Sequence, residues 1–232
     1  MLNILSRFIA KRSTVYNLNS KLRETSIISR MATESKSEYF QDLWVVATLN
    51  QKRVGFFVEF GATDGISGSN TWLLENKYGW RGILAEPARG YQEELVRNRN
   101  CEIDFRLVWS ESGKKIFFSE KEEGYLSAVS STYQEVAVHE EYEVESVSLN
   151  DLLVQRGAPR NIDYVSIDVE GSELVILREF FKNNHFNVTL FSVEHNWRKD
   201  KKELLELMHN NGYKNEYPNL SYRDLYFSKV AT

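Results

Sequence analysis

From Gly55 onward the chain alternates short runs rich in β-branched and aromatic residues with segments whose apolar positions recur at helical spacing. That alternation constrains the fold more than any other feature, because strands joined by helical crossovers lie side by side in a parallel sheet with helices on both faces. "GFFVEF" (55–60), "WRGILAEP" (80–87), "EIDFRLVWS" (102–110), "IDYVSIDVEG" (162–171), "NVTLFSVEHN" (187–196) and "RDLYFSKV" (223–230) predict strands. The segments 70–78, 90–99, 172–183 and 201–213 predict helices; Ser69 is placed to cap the first, and the last ends near Gly212. Between "KKIFFSE" and "YEVESVSLNDLL" the polar, acidic stretch 119–143 lacks periodicity and reads as a loop or lid.

The totals narrow the class. A chain of 232 residues, 42% hydrophobic, can bury one substantial core. Lys+Arg 29 against Asp+Glu 33 gives −4, so no overall positive field is available for nucleic acid or an anionic membrane. Cys101 stands alone, which excludes an internal disulfide framework and fits a cytoplasmic protein, and no apolar run approaches the roughly 20 residues of a spanning helix. Residues 1–36 form a basic, amphipathic extension with Leu2, Leu5, Phe8 and Ile9 on one helical face; it reads as a packed N-terminal helix, a route to self-association or a targeting segment. Residues 37–232 form the domain.

Ligands of open α/β sheets bind beyond the carboxyl ends of the strands. Acids stand there: Glu59 and Asp64 around the turn "GATDG", Glu86 after the second strand, Asp168 and Glu170 in "IDVEG", and Glu194 beside His195 and Asn196. The turn lacks both the G-x-G-x-x-G spacing of a dinucleotide site and the lysine of a P-loop. Its acids would repel a pyrophosphate, whereas adenosine carrying a sulfonium and an ammonium, as in S-adenosylmethionine, would be attracted. Glu86 is placed to accept hydrogen bonds from ribose hydroxyls, a feature shared with NAD sites, so a nicotinamide oxidoreductase is the nearest rival and a non-catalytic glycan-binding module the next. Gly61 and Gly65 also suit a tight turn, and Asp64 a helix cap. His195 has the chemistry of a general base, and Trp197 that of a sugar-stacking ring. Asp168 with Glu194 could instead present oxygens to Mg²⁺ or Mn²⁺.

The pieces "QDLWV" (41–45), "FFVEFGATDGISGSNTWLLE" (56–75), "GILAEP" (82–87), "VSLNDLL" (147–153), "IDYVSIDVEGSELVIL" (162–177) and "FSVEHN" (191–196) together resemble the FkbM-type methyltransferases. The resemblance implies a Rossmann-like class I methyltransferase fold, a mostly parallel seven-stranded sheet with helices on both faces, that methylates hydroxyl oxygens of sugars or glycans. It also implies cofactor contacts from Glu59, Gly61, Ala62, Asp64, Gly65, Glu86, Pro87, Val108, Trp109 and Asp168. Of these, Glu59, Gly61, Asp64 and Gly65 would surround the methionine part, Glu86 the ribose, and the chain near Val108 and Trp109 the adenine. Asp168, Glu170, Glu194 and His195 would line the acceptor pocket, with His195 or Asp168 as the base.

Overall fold

The computed structural model describes residues 31–121, 128–129, 138–183, 185–195, 199–218 and 222–230. In chain order the elements are α1 (Gln41–Thr48), β1 (Phe56–Phe60), α2 (Trp72–Tyr78), β2 (Arg81–Ala85), α3 (Arg89–Asn98), β3 (Glu102–Asp104), β4 (Leu107–Trp109), β5 (Lys115–Lys121), β6 (Ala128–Val129), β7 (Val138–Ser148), α4 (Leu149–Gln155), β8 (Asn161–Ile167), α5 (Glu173–Lys182), β9 (Asn187–Glu194), α6 (Lys201–Asn210), β10 (Tyr213–Asn215) and β11 (Asp224–Lys229).

The main sheet has seven strands in the order β10-β11-β9-β8-β1-β2-β3. All run parallel except β11, which is antiparallel to both neighbours. A doubly wound dinucleotide fold ends its sheet on a parallel sixth strand; here the last strand slots between β9 and β10 instead. The central strands are apolar on both faces because both are covered. On one face Val58, Phe60, Val165, Ile167, Phe191 and Val193 meet Leu152 and Leu153 of α4, Ile176 and Phe180 of α5, and Leu204 and Met208 of α6. On the other, Phe57, Leu84, Tyr164 and Leu190 meet Trp44 of α1, Leu73 and Leu74 of α2, and Leu95 of α3. Trp44 packs edge-on to Tyr226, ring centroids 5.0 Å apart.

Two expectations change. The strand expected over 102–110 is two strands in different sheets. Asp104 accepts a bond from the Arg106 backbone N–H at 3.0 Å and is held by Arg106 and Arg156, so the chain turns at Phe105. β4 then pairs with β7 in a second, four-stranded sheet of order β4-β7-β5-β6. The stretch 119–143 is not all loop, because its ends belong to the antiparallel β5–β7 pair, in register from Lys115↔Glu145 to Glu120↔Glu140 and shifted before Lys121↔Val138. Repeated charges hide this strand pair from a periodicity argument, since both faces of it carry acids.

Residues 1–30 of the basic extension, together with Asn196 and Trp197, lie outside the described residues. Residues 31–36 join the domain: Met31 and Ala32 pack against the α1–α3 core, and the Ser35 hydroxyl donates to Asp42 at 2.7 Å. Among the described residues no helix is long and apolar enough to cross a membrane.

Candidate active site

A cleft of about 470 Å³ opens at the carboxyl ends of β1, β2, β8 and β9. Because β11 runs the opposite way, its first residue, Asp224, sits opposite Glu194 at the same rim. The floor is Gly61, Thr63 and Glu86; one wall is Leu107, Val108 and Phe118; the other end is Asp168, Val169, Glu170, Glu194, Arg223 and Asp224, roofed by Lys36, Glu38, Tyr39 and Gln41.

The glycine turn is the tightest point. Gly61 has φ +72°, and a Cβ there would lie 1.9 Å from the Asp168 carbonyl oxygen, so the ends of β1 and β8 touch only because this residue has no side chain. The acids around the turn do not face the cleft. Glu59 points to the α1–α3 side, where its carboxylate accepts from Ser69 Oγ (3.0 Å), the Asn70 N–H (2.6 Å) and the Thr71 hydroxyl. Asp64 accepts from the N–H groups of Ile66 (2.8 Å) and Ser67 (2.7 Å) and from Ser67 Oγ. Ala62 is buried in the α1–α3 core, and Gly65 makes room for the stem of Arg99. Of the residues expected around the methionine part, only Gly61 lines the cleft; Thr63, Ser67, Gly68 and Asn70 of the same segment join it.

Glu86 lines the cleft as expected. Its carboxylate accepts from the N–H groups of Thr63 (2.8 Å) and Ala88 (2.9 Å), and burial pushes its pKa up to about 7 against the pull of those two amides. Each oxygen keeps a second lone pair able to accept another hydrogen bond. Pro87 and Val108 also line the cleft, whereas Trp109 packs outside it against the β4–β7 sheet. Leu107 and Phe118 complete the apolar wall. Phe118 lies in β5, inside the second sheet, so a reading that placed the cofactor wall only at strand ends of the main sheet could not reach it. Glu120 braces that wall by accepting from the Arg89 and Gly90 N–H groups (3.1 and 2.9 Å) and from the Tyr142 hydroxyl.

At the far end a carboxylate oxygen from each of Asp168, Glu170 and Glu194 lies within 4.8 Å of the other two. Glu170 reaches this position with φ +53°, a conformation that costs a non-glycine residue of order 1–3 kcal/mol. Burial, then the neighbouring acids, holds the Asp168 carboxyl well above the usual range. Glu194 is pushed up to about 11 by burial and by Asp168, and a side-chain hydrogen bond joins the two. Each of the two carboxyls is harder to ionise for being beside the other. Asp224 is raised to about 7, by burial first, with Gln41 bonded to it. His195 is not among the residues lining this cleft. It is buried at the end of β9, its N–H donates to the Arg223 carbonyl at 2.7 Å, and its Nε2 stands 3.3 Å from Lys201 Nζ on α6. The sequence singled out neither Asp224 nor Lys36, Glu38 and Tyr39 of the roof, although "QDLWV" begins at the roof's Gln41.

A mostly parallel sheet with one reversed strand near its edge, and a cleft at the carboxyl ends of the strands, form the architecture of class I methyltransferases. A sequence model of the methyltransferase FkbM domain matches residues 59–214, and the chain belongs to that family. Among solved structures the chain is similar to the METTL16 methyltransferase domain (10% identity, covering 82% of this chain and 66% of that one, TM-score 0.49). It is also similar to a precorrin-6y C5,15-methyltransferase from Geobacter metallireducens (9%, 80% and 84%, 0.44) and to a ribosomal protein L11 methylase from Lactobacillus delbrueckii (10%, 82% and 77%, 0.45). No curated protein matches the sequence.

Proposed function

We propose that this methyltransferase transfers the methyl group of S-adenosylmethionine to a hydroxyl oxygen of a sugar or glycan. The observation that carries the donor assignment is the state of the turn's amides. The N–H groups of Thr63, Ile66, Ser67 and Asn70, donors of the kind a pyrophosphate would need, already bond to Glu86, Asp64 and Glu59. A nicotinamide dinucleotide would find these four amides taken and a carboxylate on the floor. Adenosine without phosphate fits the same floor, its ribose on Glu86 and its base against Val108, Leu107 and Phe118.

The acceptor end supports a polyol. Clustered carboxylates take hydroxyl hydrogens, and the Tyr39 ring, 5.5 Å from that of Tyr222, offers an aromatic face beside them. In the reaction the acceptor oxygen forms its bond to the methyl carbon as the sulfonium–carbon bond breaks, and the hydroxyl proton passes to the protein. The Asp168–Glu194 unit lies in the cleft and carries the base role better than His195, which would act from behind it. Asp168, Glu170 and Glu194 also suit Mg²⁺ or Mn²⁺, hard cations that take carboxylate oxygens; such an ion would lower the hydroxyl pKa.

Calorimetric titration with S-adenosylhomocysteine and with NAD tests the donor: micromolar affinity for the former alone is expected, and binding of NAD alone would overturn the reading. Incubating the protein and S-adenosylmethionine with a panel of glycans, nucleotide sugars, amines and RNA, with and without a chelator, reads the acceptor by mass. A methyl gain confined to amines or RNA would refute the hydroxyl assignment.

A further inference from the structure

We infer that Arg99, at the end of α3 and outside the cleft, is a positioning residue that sets the shape of the methyl-donor site; the inference rests on the donor assignment above. Its side chain is fully buried, with no solvent-exposed surface. Buried guanidinium groups persist only when their donors are satisfied. Among the described residues every hydrogen-bond acceptor of this one belongs to the segment 65–71 or to the helix α2 that follows it, while Phe57 and Glu59 of β1 flank it without a hydrogen bond. Nη1 donates to the Gly65 carbonyl oxygen (3.0 Å) and Ser69 Oγ (3.1 Å), Nη2 to Thr71 Oγ1 (2.9 Å), and Nε to the Glu75 carboxylate. Glu59 stands 3.7 Å from Nη1 and accepts from the same Ser69 and Thr71 hydroxyls. The stem passes through the space that a Gly65 side chain would fill, since a Cβ there would be 2.7 Å from Arg99 Cγ.

One charged group thus gathers residues 65–75 from behind, while Ser67, Gly68 and Asn70 of the same segment face the cleft. Asn70 ties the two sides together: its backbone N–H is held by Glu59, and its side chain donates to Ser166 Oγ at 2.9 Å on β8. This arrangement also explains the acid in the first strand's end. Glu59 is, beside the hydrogen-bonded Glu75, the second counter-charge of Arg99, and it acts on the donor site through the segment that both Arg99 and Glu59 hold. A planar fork with several bonded directions is required, which a lysine ammonium does not supply.

The test compares the affinity for S-adenosylhomocysteine and the melting temperature of the full-length wild-type protein with those of Arg99→Lys, Arg99→Gln, Ser69→Ala and Met208→Ala. Met208 of α6 is buried in the core and does not line the cleft, and its truncation controls for stability loss. The expected result is a tenfold or greater loss of affinity for both Arg99 variants, a smaller loss for Ser69→Ala, and wild-type affinity for Met208→Ala despite its lowered melting temperature. Arg99→Lys binding within twofold of wild type would overturn the inference. Should the Arg99 variants fail to fold, unchanged affinity in Ser69→Ala overturns it instead. If the wild-type protein does not bind S-adenosylhomocysteine, the donor assignment falls and this inference with it, whereas loss confined to the variants leaves the assignment standing.

Discussion

Replacing Gly61 by alanine isolates the contact on which the cleft's geometry depends. Two costs are separable because Gly68, a few residues on, shares the left-handed backbone (φ +74°) but has nothing within 4 Å of its missing Cβ. Gly68→Ala therefore carries only the backbone term, about 1–2 kcal/mol. Gly61→Ala carries that term plus a clash: its Cβ would stand 1.9 Å from the Asp168 carbonyl oxygen, where real contacts stay above 3.0 Å, so the ends of β1 and β8 must part by more than 1 Å. Overpacking of this kind adds about 1–3 kcal/mol. For a chain of this size each kcal/mol lowers the melting temperature by about 2–4 °C, so Gly61→Ala should melt roughly 2–12 °C below Gly68→Ala. Differential scanning calorimetry measures the gap, and calorimetric titration with S-adenosylhomocysteine should show affinity lost by tenfold or more in Gly61→Ala. Equal melting temperatures, or wild-type affinity in Gly61→Ala, would refute the idea that this close approach shapes the site.

Three further outcomes follow from the buried acids. Asp42, Glu86 and Asp224 each have a folded pKa raised by burial to about 7, so their contribution to stability is fully present below about pH 4 and is lost as pH rises through 7. The ligand-free protein should accordingly melt higher at pH 5.5 than at pH 8, and Asp42→Asn should flatten that dependence; a melting temperature that rises toward pH 8 contradicts the assignment. Glu86→Gln exchanges an acceptor pair for a mixed amide, so either Thr63 or Ala88 loses its acceptor and a ribose hydroxyl loses a charged one; S-adenosylhomocysteine affinity should fall about tenfold to a hundredfold. In the wild type that affinity should increase as pH passes upward through 7, a slope that Glu86→Gln should abolish in the same titration. Glu194→Gln removes one of the mutually repelling carboxylates, and the expected result is a melting temperature at or above wild type together with loss of methyl transfer in the mass assay. A marked fall in melting temperature would mean that the carboxylate is structural.

The sheet was legible because helix and strand periods differ and a parallel strand covered on both faces reads as an unbroken apolar run. "GFFVEF", "RGILA" and "IDYVSI" fall on β1, β2 and β8 for that reason. The second sheet was not legible. Its strands carry acids on both faces, as in "HEEYEVES", and β4 is only three residues long after a turn made by the Asp104 side chain, which no run of apolar residues announces.

The orientation of the acids was hidden for a related reason. Side chains alternate along a strand, so Phe57 and Glu59 share one face and Val58 and Phe60 the other. When both faces are apolar the sequence does not say which parity carries the ligand, and Glu59 at the end of "FFVEF" fits either the cleft or the α1–α3 side. What decides is a residue forty positions away: a buried arginine needs a counter-charge, and Arg99 arrives on the α1–α3 side. Glu86, by contrast, sits beyond the last paired residue of β2 and before a proline, where the chain has left the alternation, so its position could be read from the strand end alone. On the proposed reading, any attraction for a positively charged methyl donor would come from the acids that line the cleft, Glu86, Asp168, Glu170 and Glu194, and not from those in the turn. The acids inside the glycine turn act differently: by bonding its amides themselves, they occupy the place where a phosphate would otherwise bind.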